Sequence, residues 1–137
     1  MRRLAGIALA TVAMALAACH SERKPQPKLA KIIWQQIGAW SGHGNVQTGS
    51  FDIGYEPCRL RWQARNESPQ GSGFLRVTLH SAVSGRDLAL LVDHRGAGQD
   101  TAYIRVDPHY SYLVIESKNL DWSVTVEEGD TFGPETK

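Results

Sequence analysis

The stretch Arg59-Leu60-Arg61-Trp62-Gln63-Ala64-Arg65 decides the fold class. Its apolar members, Leu60, Trp62 and Ala64, occupy every second position, and three arginines and Gln63 fill the positions between. A period of two places one set on each side of an extended chain, the signature of a half-buried strand; an amphipathic helix needs apolar residues three and four apart. Phe51, Ile53 and Tyr55 repeat the pattern, as do Leu75, Val77 and Leu79, and Leu88, Leu90 and Val92. So do Ala102, Ile104 and Val106, and Leu120, Trp122, Val124 and Val126. Glycine, proline, Asn and Asp punctuate the chain between these runs, at 42–45, 67–73, 84–87, 96–99, 107–109 and 118–119. These are turn residues, able to supply positive φ or a fixed turn geometry. The expectation is an all-β chain: a small antiparallel β-sandwich, jelly-roll-like, of about seven or eight strands over residues 31–130, with a C-terminal tail at 131–137.

Upstream the chain has a different character. Arg2 and Arg3 precede an uncharged apolar run, Leu4 to Leu16, that ends on small residues, the layout of a secretory signal peptide. The run is shorter than the roughly 20 residues that span a bilayer. Leu16-Ala17-Ala18-Cys19 resembles the lipobox of bacterial lipoproteins at every position. The resemblance implies cleavage after residue 18, a thioether to diacylglycerol on the Cys19 sulfur and a fatty-acyl group, such as palmitate, on its new amino group. Only a thiol can form that thioether, so Cys19 is the lipidation site expected here and its acyl chains the expected membrane contact. Several chains anchor far more firmly than one. His20 follows the cysteine, which in that class implies the outer membrane, facing the periplasm. Residues 19–30, with Pro25, Pro27 and several basic side chains, read as a tether to the domain.

The full chain carries fifteen Lys and Arg against fourteen Asp and Glu. Loss of Arg2 and Arg3 with residues 1–18 leaves a near-neutral domain, which argues against nucleic acid as a partner, because nucleic-acid binding leaves a basic footprint. Cys58 is the second of two cysteines. It reads either as a buried hydrophobe at a strand start or as a nucleophile paired with a histidine. Asp93-His94 and Asp107-Pro108-His109 carry metal-ligand chemistry but not the spacing of a metal motif, and no catalytic set or cofactor motif emerges.

The candidate binding surface comprises Trp40, His43, Arg59, Arg61 and Arg65. The arginines share one strand face, joined in the sheet by Arg76 or Arg105, and fit two readings. One is a clamp for carboxylates or phosphates; the other is a solvated face paired to Asp52, Glu116 or Glu127. Trp40, beside Gly42-His43-Gly44, fits either a platform for a sugar or peptide or packing at a strand end.

Glu56-Pro57-Cys58-Arg59-Leu60-Arg61-Trp62 and the C-terminal run Tyr110–Glu128 resemble a family of small exported bacterial proteins of uncharacterised function. The resemblance covers roughly residues 34–128 and implies a compact β-sandwich without an assigned activity. Cys58 stands where that family has a tryptophan. Gly38-Ala39-Trp40 is similar to the Gly-x-Trp of lipocalins, which implies, as the alternative, a carrier of a small apolar ligand. The function expected from all of this is a non-enzymatic, lipid-anchored interaction or accessory module of the bacterial envelope, whose partner, an envelope protein or a ligand, the sequence leaves open.

Overall fold

The computed structural model describes residues 31–54 and 56–132. The signal peptide, Cys19 and the tether expected at 1–30 lie outside the described residues, as does Tyr55. Among the described residues every regular element is a strand: β1 (Lys31–His43), β2 (Val46–Gln47), β3 (Phe51–Ile53), β4 (Cys58–Arg65), β5 (Phe74–Ser81), β6 (Asp87–Arg95), β7 (Gly98–Ile104), β8 (His109–Lys118) and β9 (Asp121–Phe132). Sheet A has the order β1-β9-β4-β7; sheet B has the order β2-β8-β5-β6, with β3 also on β8. All pairings are antiparallel.

The pairings are nested. β5 pairs with β6, β4 with β7, β2 and β3 with β8, and β1 with β9, so the chain is one long hairpin folded over into two layers. The pairings β4·β9 and β5·β8 join its arms within each sheet. β2 and β3 form one edge interrupted at Thr48, whose own backbone N–H donates to the Leu113 carbonyl (3.0 Å) while its hydroxyl accepts the Leu113 N–H (2.9 Å). The side chain thus replaces a main-chain partner where the strand breaks.

The alternation in β4 is realised residue by residue: Cys58, Leu60, Trp62 and Ala64 are buried and the residues between face outward. They meet Leu75, Val77, Leu79, Leu113 and Ile115 of sheet B, all fully buried, while Val124 and Val126 extend the sheet A side. Each such side chain contributes roughly 1.5–3 kcal/mol of burial, and these contacts, not a staple, hold the layers together.

Two departures from the simple period occur, both at bulges. In β6 the register slips twice, between partners Val77 and Thr78 and again between Leu79 and His80, leaving Leu91 and Leu88 as extra residues. Leu90, expected inside with Leu88 and Val92, is therefore turned to solvent at 58% exposure, while Leu88 and Val92 do pack on the core, joined by Ala89 and Leu91. An extra residue flips the facing of the residues beyond it. In β1 the slip falls between Gln36 and Gly38. Trp34 and Trp40, an even number apart, consequently lie on opposite faces. Trp40 lies over Gly38 and tilts against Phe51, ring centroids 5.4 Å apart. Trp122 lies over Gly42, where a Cβ would meet its ring at 2.9 Å. Both glycines on this edge strand leave room for an indole.

Cys58, the first residue of β4, is 1% exposed and carries a free thiol. Burial, reinforced by the negative charge of Glu128, pushes that thiol up from 9.0 to about 12. It stays protonated at neutral pH and is a poor nucleophile. Two results are expected. A maleimide will label Cys58 only as fast as the domain unfolds. Denaturation midpoints will also fall between pH 9 and 12, because there the unfolded chain releases a proton that the folded one retains. Cys58→Ala should remove that alkaline slope; an equal slope in the variant would refute the assignment.

Candidate functional site

The outer face of sheet A is a four-strand polar surface, and its rows are set by the register. Gln36, Glu127, Arg59 and Tyr103 form one row across β1, β9, β4 and β7; Ala39, Thr125, Arg61 and Thr101 form the next. Ser41, Ser123, Gln63 and Gln99 make the third, and His43, Asp121 and Arg65 the fourth. Long charged residues occupy the outer rows and short hydroxyls the middle of β9, so the surface sinks between them. The result is an open trough of about 480 Å³, with Arg61, Gln63, Gln99, Thr101, Ser123 and Thr125 on its floor and sides and Asp100 at its β7 end.

One side of the trough is Arg61, which a buried acid ties to Arg59. Glu127 is 7% exposed, and its Oε1 accepts from Arg59 Nε at 3.0 Å and from Arg61 Nε at 2.6 Å. Charge-assisted bonds of this length are among the stronger hydrogen bonds in proteins. The Arg59 guanidinium is also stacked on Trp34, 3.8 Å from the ring centre. The Arg61 side chain is 54% exposed, so Glu127 fixes its Nε edge and leaves the rest of the guanidinium open toward the trough. Outside the trough, in the fourth row, Asp121 accepts from Asn66 Nδ2 (2.9 Å) and pairs with His43 Nδ1 (2.9 Å). Those two contacts, the Asn66 bond first, and the more distant Arg65 charge hold the Asp121 carboxyl below its ordinary value.

Four of the five candidate surface residues therefore share this face: Arg59, Arg61 and Arg65 from β4, and His43 from the end of β1. Trp40 does not join them, because it faces inward and is half-buried against the core. The arginine neighbours expected from the sequence also differ. Arg76 is in sheet B, 3.6 Å from Asp93 and 4.0 Å from Glu116, and Arg105 follows the end of β7. Of the three acids proposed as partners for the β4 arginines, Glu127 makes the contact. Gln99, Thr101, Ser123 and Thr125 carried no chemical signal of their own; only strand pairing brings them to Arg61 and Gln63.

The histidines are dispersed. His80 stacks on Tyr112 at 5.2 Å and approaches Asp87 at 3.2 Å, while His94 packs on Trp62 at 4.9 Å. His109 Nε2 lies 2.6 Å from the buried Ser81 hydroxyl. Among the described residues no three or more His, Cys, Asp or Glu side chains gather as a metal set. No family model, curated protein or solved structure matches the chain.

Proposed function

We propose that this protein is a lipid-anchored, non-enzymatic interaction module of the bacterial envelope, with the outer face of sheet A as its contact surface. The Leu16-Ala17-Ala18-Cys19 motif supports the anchor, through acyl chains on Cys19, most simply in the outer membrane facing the periplasm. The observation that carries the contact surface is the trough and its Arg61, preset by Glu127, on a face free of core duties. The nested strand pairing supports a jelly roll as the finer description of the fold, since that is the pattern of a double-sheet roll with two Greek keys. A carrier with an internal ligand finds less support: the side chains between the sheets are fully buried against one another, and the clefts are open grooves at the surface.

Fractionation and crosslinking test the two halves separately. Cys19→Ser should persist as uncleaved precursor lacking acyl groups; normal processing and release of the variant would refute the lipid anchor. A photo-crosslinker at Thr101, in the lining of the trough, should capture an envelope component in intact cells, whereas one at Thr78 on the outer face of sheet B should not. Equal capture from both positions, or none from Thr101, would refute sheet A as the contact face.

A further inference from the structure

We infer that the trough on sheet A binds a neutral oligosaccharide, an inference that rests on reading this face as the contact surface and names its ligand class. The floor is chemically uniform. Thr101, Ser123 and Thr125 offer hydroxyls, and Gln63 and Gln99 offer amides with a donor and an acceptor each. Among the described residues none of these five side chains makes a hydrogen bond within the protein. Such groups suit a ligand that is itself a dense array of hydroxyls, each both donor and acceptor.

Charge excludes the obvious competitors. Arg61 and Asp100 carry the full charges lining the trough, one of each sign, and Glu127 already neutralises part of the arginine. A polyanion would meet Asp100, and a cationic peptide would meet Arg61. A neutral polyol can use both, because guanidinium and carboxylate groups each bridge neighbouring hydroxyls. An apolar ligand would strip water from polar floor groups without replacing their hydrogen bonds, at a cost for each group.

Dimensions agree. Strands lie about 4.8 Å apart, so a trough crossing from β9 over β4 to β7 runs roughly 10 Å, the length of about two sugar rings laid across the strands. At the β7 side Tyr103 is 57% exposed in the same row as Arg59, with its ring available to stack on a pyranose face. The Arg61 guanidinium needs no reordering on binding, because its Nε is already held by a buried carboxylate. A preset donor loses less entropy when the ligand arrives.

The test is calorimetric titration of the purified full chain in detergent with chitotriose, maltotriose and, as the acidic counterpart, trigalacturonate. At least one neutral trisaccharide should bind with Kd on the order of 0.1–1 mM, the weak range of a shallow open site, and trigalacturonate should bind less tightly. Ser123→Trp fills the floor and should abolish binding; Arg61→Gln should weaken it about tenfold, one charged hydrogen bond's worth. Arg95→Gln on sheet B should leave it unchanged, and all three variants should melt close to the parent. Failure of both neutral sugars to bind, tighter binding of trigalacturonate, or binding that survives Ser123→Trp would overturn the inference. Crosslinking from Thr101 to a protein with no sugar binding would overturn it too, while leaving the contact face in place.

Discussion

Trp122→Ala lowers the melting temperature by at least about 12 °C and brings the domain close to unfolding at physiological temperature. The indole is 2% exposed and fills the space over Gly42, and its Nε1–H donates to the Gly44 carbonyl at 2.9 Å. Truncating a buried tryptophan costs roughly 3–5 kcal/mol. A domain of this size loses roughly 4 °C or more per kcal/mol, and total stabilities run about 5–15 kcal/mol. Trp122→Phe separates the two contributions: it retains most of the packing but leaves the Gly44 carbonyl without its donor, a loss of about 1 kcal/mol. Thermal melts of the three proteins decide the matter. An alanine variant that melts within a few degrees of the parent would mean that the turn between β1 and β2 does not depend on this ring.

Removing Glu127 is the second large effect. The carboxylate holds two guanidinium groups through one oxygen, with its own side chain 10% exposed and that of Arg59 21% exposed. Loss of one member of a fully buried pair costs about 3–5 kcal/mol because the other charge is stranded. Here Arg61 can turn to water, so Glu127→Ala should cost about 2 kcal/mol. Glu127→Gln, which retains an acceptor at the same place, should cost about half of that. The diagnostic variant is Glu127→Leu combined with Arg59→Met. If the cost arises from a stranded Arg59, the double replacement should recover most of it, whereas independent packing losses would add. Chemical denaturation of the set measures this directly, and strict additivity would refute the coupling.

How much of this was legible in the sequence differs from strand to strand. β4, β5 and β9 could be read because each has one face on the core, so burial and spacing agree. β1 could not. Ile32 and Ile33 are adjacent and both about two-fifths exposed, and the bulge at Ile37 breaks the phase between Trp34 and Trp40. β6 was placed correctly and its Leu88 and Val92 face the core as the alternation requires, but two bulges turn Leu90 outward, and bulges leave no mark in a pattern of apolar residues. The site shows the same division. Arg59, Arg61 and Arg65 are neighbours along one strand and were visible as a set. Their partner Glu127 lies 66 residues beyond Arg61 in the chain and was one of three acids that charge alone allowed. The trough floor depends on register across β9, β4 and β7, which local sequence does not encode.

The nesting of the strands has a kinetic consequence. β5 and β6 are joined by a short connection and can meet early, but every later pair encloses the one before it. β1 must wait for β9, since Lys31 is opposite Phe132, and a chain made from its N-terminus exposes β1 as an unpaired edge until almost the whole domain exists. Non-local pairing of this kind places folding in the millisecond-to-second range. During that interval the apolar Ile32-Ile33 pair sits on an open strand edge, which is where premature association between chains would begin.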